Sequence, residues 1–424
     1  MSSGTQPTPN IPDNTAGPLV VGAARLNSVD LLRGLVMAIM ALDHVRDYFT
    51  HLQFQPEDMR FTYPALFYTR FITHFCAPCF FFLAGTGAYL SRKKGAELSN
   101  FLWKRGLWLI ILEFTVIAFA WTFLPPSAIF PPSGVLGLIV IWALGCSMIF
   151  LAALVRLPVK WVATISVAII VLHNAFDSVS PATFDNLRGL WLVLHQQGFI
   201  PIGRGGVFVA YPIVPWIGVM GAGYAFGAIM KSEAERRRKT LLMLGGAMTL
   251  AFLVLRIFNI YGHQPYQQAL PSEAFFHAQP TISMTIVDLL DTQKYPPSLQ
   301  YLLMTLGPSI MLLAWLEKID LKRGFGKLFW DKILVFGRVP MFYYICHLYL
   351  IHLMAIATVF AFHQPGYDWL THGAFFGART PSGYGHNLPY IYLMWITAVV
   401  ILYFPCKWFA GVKARRKDWW LSYL

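Results

Sequence analysis

Arg33 and His44 stand eleven positions apart in the stretch RLNSVDLLRGLVMAIMALDHVRDYFTH, residues 25–51. On a helix turning 100° per residue that interval is three turns plus about 20°, so both side chains leave one face, about 16 Å apart along the axis. This is roughly half the hydrocarbon thickness of a bilayer. A guanidinium near one membrane surface suits a phosphate, and an imidazole well inside suits proton transfer or transient covalent chemistry. Asp43 and Asp47 flank His44, and a carboxylate there can fix the tautomer and stabilise an imidazolium; Asp43 is taken as that partner. The stripe therefore fits acyl transfer from an acyl-CoA, with the nucleotide phosphates on Arg33 and Arg25 and the thioester beside His44. Two other chemistries use the same residues. His44, Asp47 and His51 at i, i+3 and i+7 form an acceptable zinc set, but that spacing arises easily by chance and no metal is expected. Asp43, His44 and Arg70 could instead relay protons in a transporter, although the sequence shows no internal repeat.

A second apolar run, ALFYTRFITHFCAPCFFFLAGTGAYL, carries Arg70 and His74 at i and i+4 on one face. An unpaired guanidinium in lipid is costly, so Arg70 should face the bundle and meet Asp43 or Asp47. Gly85, Thr86 and Gly87 read as a close-packing surface for another helix. His347, in FGRVPMFYYICHLYLIHLM, is the third deep histidine. Asp47, Arg70, His74 and His347 are thus candidates for the wall of a substrate cavity. Pro212 and Pro215 interrupt the glycine-rich run YPIVPWIGVMGAGYAFG, as in helices that line cavities. The long connections 176–204 and 259–298 have the length of lids or binding walls.

These groups must be positioned by membrane helices. Of the 424 residues, 56% are hydrophobic and only 12% charged, and apolar runs recur along the chain, which excludes an ordinary soluble enzyme. Ten spans are expected, about 31–50, 65–90, 105–124, 135–155, 159–175, 205–230, 240–258, 299–316, 335–361 and 389–411, with a split or a re-entrant piece left open in each of the last three. The fold class is all-α, a polytopic transmembrane helix bundle. Residues 1–24 are rich in Pro, Ser, Thr, Asn and Gly and read as a flexible tail before a single domain over 25–424. Lys and Arg number 5, 2, 5, 5 and 5 in segments 92–105, 156–160, 231–239, 318–332 and 407–417. They number 2, 0, 2, 1 and 1 in 46–60, 125–134, 176–204, 259–298 and 362–388. By the positive-inside rule both termini are cytoplasmic. The net charge of +13 then reflects loop asymmetry rather than a nucleic-acid partner. Five cysteines, in or beside apolar runs, show no disulfide or zinc spacing.

The segments RLNSVDLLRGLVMAIMALDHVRDYF, THFCAPCFFFLAGTGAYL, YPIVPWIGVMGAGYAFG, FGRVPMFYYICHLYLIH and KARRKDWWLSYL, in this order, resemble a bacterial member of the heparan-α-glucosaminide N-acetyltransferase catalytic-domain family. The resemblance runs from about residue 25 to the end. It also extends to the wider transmembrane acyltransferase group, in which an Arg or Lys, ten residues and a His occur near the start, as Arg33 and His44 do here. The resemblance implies an acetyl-CoA or other acyl-CoA donor reached from the cytoplasm. It further implies an acceptor, commonly a sugar amine or hydroxyl, on the outer side of a bacterial inner membrane. The enzyme that names the family has an Asn in its first span and a His in its first lumenal loop. Their places here fall roughly at His44 and Pro64. Homo-oligomer formation is left open.

Overall fold

The computed structural model describes residues 26–263, 275–319, 326–371, 380–416 and 418–422. The expected tail, 1–24, and Arg25 lie outside them. Helix α1 (Asn27–Phe49) is the hub, packed by helices from several parts of the chain, so its apolar side chains are buried along nearly its whole length. A helix enclosed in this way can keep ionisable groups only where they find partners.

The second run is not one helix. It divides into α2 (Pro64–His74) and α3 (Cys76–Leu90) at Phe75. Pro78 explains the break: it has no N–H to donate and its ring clashes with the carbonyl four residues back, at His74. That freed carbonyl accepts the Tyr301 hydroxyl at 2.7 Å, so a distant helix repairs the gap. Helix α4 (Gly95–Leu112) runs through a π-turn, Glu113–Ile117, into α5 (Ala118–Thr122), followed by the short α6 (Pro126–Ile129). Strand β1 (Val135–Leu138), helices α7 (Val140–Leu154), α8 (Val159–Leu172) and α9 (Arg188–Leu194), and strands β2 (Gly198–Ile202) and β3 (Gly205–Val209) come next. The chain continues as α10 (Ile213–Phe226), α11 (Ala234–Ile257), α12 (Ile282–Leu290), α13 (Leu299–Leu316), α14 (Lys327–Arg338), α15 (Pro340–Ala361), α16 (Tyr367–Thr371) and α17 (Leu388–Arg415).

The protein is a polytopic membrane helix bundle. Among the described residues eight helical stretches are long and apolar enough to cross a bilayer. Helices occupy all ten expected spans, but the charges of α1 are spread so that it has no long stretch as nearly free of charge as those eight, and α7 has only 15 residues. Outward faces such as Leu242, Met243, Leu250 and Val254 on α11, or Leu393, Ile396, Val400 and Phe404 on α17, are exposed and apolar. Patches of this extent belong against lipid.

Two more expectations are corrected, and the split left open for the ninth span is found. The bundle is not purely α: β1, β3 and β2 form a sheet in that order, β1 parallel and β2 antiparallel to β3. The sixth expected span begins within β3, because the apolar run VFVAYPIV is continuous through it. Pro212 and its restriction on the preceding residue delay the helix to Ile213. The ninth expected span divides at Val339, where Pro340 starts α15. Of the two glycines of α3, Gly85 packs closely, whereas a methyl group on Gly87 would meet only Arg33 Nη2, at 3.9 Å. A methyl group on Gly85 would lie 2.0 Å from the Met220 carbonyl oxygen, and one on Gly223 2.0 Å from that of Phe82. Thr86 Oγ1 donates to the Gly223 carbonyl across the same contact at 3.0 Å.

Candidate active site

At the end of the bundle holding the C-terminus of α1, charged side chains that would be intolerable singly form one network. Arg70 on α2 donates to both Asp43 oxygens, at 2.6 and 2.5 Å, and through Nε to Glu57 at 2.6 Å. Arg46 reaches Asp43 at 3.1 Å and Asp47 at 2.5 Å, and Lys294 lies 4.0 Å from Asp43. His74 Nε2 is 3.3 Å from Glu57. Three carboxylates and three fixed cations thus balance, which lets the cluster remain ionised in buried surroundings. Burial alone would raise the Glu57 carboxyl, but Arg70 and the His74 hydrogen bond hold it well below the usual carboxylate range.

His44 adjoins this network without being absorbed by it. Its ring lies 4.8 Å from that of Trp121, edge on, and 5.1 Å from that of His347. Its nearest carboxylate is Asp47, with Oδ2 3.9 Å from Nδ1, too long for a hydrogen bond. Asp43, expected to orient His44, is occupied by Arg70 and Arg46. His347 is fully buried, with Nδ1 3.2 Å from the Tyr343 carbonyl and its ring 5.2 Å from Tyr344. His51 does not join His44 and Asp47. It follows the end of α1, and its Nδ1 lies 2.8 Å from the His386 carbonyl. Among the described residues no group of His, Cys, Asp or Glu is arranged to hold a metal ion.

Two cavities approach each other through the bundle. The larger, about 510 Å³, is lined by Asp43, His44, Arg46, Asp47 and Arg70, by Lys294 and Tyr295 of the 291–298 connection, and by Gln53, Gln55 and Gln197. Phe208 of β3 also lines it, so the unexpected sheet forms part of its wall. The other, about 270 Å³, has Arg33 and Arg105 among its lining, with apolar surface from Met37, Leu83, Leu109 and Met341. Arg33 is fixed there by Asp30 Oδ1 at 3.2 Å and the Gly337 carbonyl at 3.3 Å. Phe80, Val140 and Tyr344 line both cavities and form the partition between them. Arg33 and His44 therefore line different cavities on the two sides of that partition, while His74 and His347, expected in the cavity wall, are buried and do not line the larger one.

Residues 25–264 match the family described as heparan-alpha-glucosaminide N-acetyltransferase, catalytic. The chain belongs to that family. The match spans 240 of 424 residues and ends before α12, so the C-terminal segments quoted above lie beyond it. No curated protein matches the chain. In this N-acetyltransferase family member the matched part supplies His44, the Asp43–Arg70–Glu57 network and both arginines of the smaller cavity. Lys294 and Tyr344 come from outside it.

Sequence reasoning did not single out Glu57, Lys294, Tyr344 or Glu113. The signal for Glu113 was a lone acid inside an apolar run. Its Oε2 accepts from the backbone N–H groups of Ile141 and Trp142, both at 2.9 Å, and so caps the start of α7 beside the partition.

Proposed function

We propose that this chain is a membrane acetyltransferase that moves an acetyl group from acetyl-CoA, entering from the cytoplasm, to an amine or hydroxyl of a sugar held in the larger cavity. Family membership implies the membrane acetyltransferase activity; donor side, acceptor and residue roles are our reading. The observation that carries it is the pair of cavities, guanidinium-bearing on one side and imidazole- and carboxylate-bearing on the other, meeting at one thin partition.

By the positive-inside rule the end with the basic loops is cytoplasmic, and both termini lie there. Arg33, with Arg105, then faces the CoA phosphates, and the apolar lining of the smaller cavity receives the pantetheine arm. The acetyl thioester reaches the partition beside His44. The acceptor lone pair attacks the carbonyl carbon as His44 takes the acceptor proton. The new bond to carbon forms, the carbon–sulfur bond breaks, and the proton passes to the departing thiolate. Asp47, 3.9 Å from His44, closes on the imidazolium as it forms, while Asp43 and Arg70 hold the end of α1 against α2. The cluster of Asp47, Arg70 and three glutamine amides offers donors and acceptors to sugar hydroxyls.

Cavities approaching from both ends also suit a transporter without covalent chemistry. The test is CoA affinity and single-turnover loss of acetyl-CoA by purified protein in detergent. Acetyl-CoA binding and slow turnover support the transferase; a transporter should do neither. Arg33→Gln should weaken CoA binding with folding retained, whereas His44→Ala should spare binding and slow turnover by a factor of roughly 10² to 10⁴. Parental turnover by His44→Ala would remove His44 from the chemistry.

A further inference from the structure

In the transferase reading the two substrates meet at one atom, the thioester carbonyl carbon, and the place where they can meet is the partition. Its three shared residues differ in chemistry. Phe80 and Val140 offer only hydrocarbon side chains, while Tyr344 carries a hydroxyl. Tyr344 is 3% exposed, and among the described residues its Oη has no hydrogen-bond partner. A buried phenol ordinarily finds one, because an unpaired donor loses its hydrogen bonds to water and gains none in return. Tyr48, Tyr301 and Tyr349 each donate to a backbone carbonyl, at 2.9, 2.7 and 2.9 Å, while the adjacent Tyr343 also has an unpaired Oη; what sets Tyr344 apart is that it lines both cavities and Tyr343 lines neither.

Position adds to this. Tyr344 lies in the first turns of α15, three residues before His347, and their rings meet edge to face at 5.2 Å. His347 in turn lies against His44 at 5.1 Å between ring centroids. The Tyr344 ring therefore belongs to the same knot of side chains as the proposed base, on the wall that both cavities share. The polar requirement left there is for a donor to the oxygen that gains charge as the carbonyl becomes tetrahedral. Donors aimed at such an oxygen in a dry site are among the largest contributions to acyl transfer.

We propose that Tyr344 is a catalytic residue whose phenol donates a hydrogen bond to the thioester carbonyl oxygen and strengthens that bond as the tetrahedral oxyanion forms. The proton stays on Tyr344 throughout; the acceptor proton still passes through His44 to the thiolate, so the step balances without another reactant. The inference rests on the acetyltransferase reading and adds a residue to it from outside the family-matched segment.

The test is Tyr344→Phe, which removes one oxygen and keeps the ring. The parent must first turn over acetyl-CoA; if it does not, the transferase reading fails and this inference falls with it. With an active parent, Tyr344→Phe should retain CoA affinity within about twofold and lose roughly 10²- to 10³-fold in single-turnover rate. Two donor analogues separate chemistry from fold. S-Ethyl-CoA, which lacks the carbonyl oxygen, should bind both proteins equally. S-Trifluoroacetonyl-CoA, whose hydrated ketone mimics the tetrahedral oxyanion, should bind the parent more tightly and lose that advantage in the variant. An unchanged rate in Tyr344→Phe overturns the proposal, as does an equal loss of affinity for both analogues, which would make Tyr344 part of the cavity's shape alone.

Discussion

Arg70 shows how one residue can be both a structural necessity and part of a site. Its guanidinium is buried between Asp43 and Glu57, so removing it leaves two carboxylates without their main counter-charge. Arg70→Met should lose about 3–5 kcal/mol of stability, read as a lower melting temperature in detergent, and Asp43→Asn in the same chain should recover part of the loss. No recovery with either Asp43→Asn or Glu57→Gln would mean that the pairing is not what Arg70 contributes. Asp291, at the end of α12 and outside the spanning helices, behaves oppositely. Burial, with the nearby Glu57 carboxylate adding to it against the pull of Arg256, pushes its carboxyl up to about 8; Asp288 and Asp58 add further negative charge. Between about pH 4 and pH 8 the unfolded Asp291 is ionised while the folded one keeps its proton, so its contribution to stability falls as pH rises. Glu57 varies only below its unfolded value near 4.5, outside a window of pH 5 to 8. Asp291→Asn should therefore gain in melting temperature relative to the parent from pH 5 to pH 8. A difference that does not change with pH would remove Asp291 as the titrating group.

At the scale of elements, the contact between α3 and α10 depends on the absence of side chains. Leucine at Gly223 would place Cβ 2.0 Å from a backbone oxygen, which cannot move without shifting all of α3, and α3 carries Phe80 of the partition. Gly223→Leu should cost at least 1–3 kcal/mol and lower folded yield, whereas Gly246→Leu, with open space at its Cβ, should leave both nearly unchanged. Equal yields from the two variants would show that the contact is looser than the geometry requires. This packing was legible because small residues at close spacing in an apolar run have few other uses. The pairing of Arg70 with Asp43 was legible for a similar reason, since a guanidinium in lipid demands a carboxylate. Glu57 was not, because it lies in a connection whose path no periodicity constrains. The sheet was hidden by an apolar run that continues from strand into helix, and the position of the break at Val339 by a proline whose usual place is also the first turn of a helix. Spacing put Arg33 and His44 on one face of α1, but spacing cannot show that the two line different cavities, with Phe80 of α3, Val140 of α7 and Tyr344 of α15 shared between them.

The whole molecule gives these elements a direction. Helix α11 has 24 residues, about 36 Å of helix, so its two ends lie near opposite membrane surfaces. Its N-terminal end carries Arg236, Arg237, Arg238 and Lys239, while the connection beyond its C-terminal end holds one lysine among residues 259–298. Moving such a basic cluster across the membrane is disfavoured, so the first end should be cytoplasmic. The same orientation would put Arg33 and the smaller cavity on the cytoplasmic side, where the proposed CoA donor would enter, and Lys294, Asp43 and the larger cavity on the other. Topology and function are thereby linked, because an inverted chain would present the carboxylate-rich cavity to the cytoplasm. In a chain whose five native cysteines are replaced, Ala278→Cys should react with an impermeant maleimide in intact cells, and Glu235→Cys only after permeabilisation. Both positions are exposed, so reactivity reports side rather than burial. Labelling of Glu235→Cys in intact cells would reverse the orientation and, with it, the assignment of Arg33 to the donor.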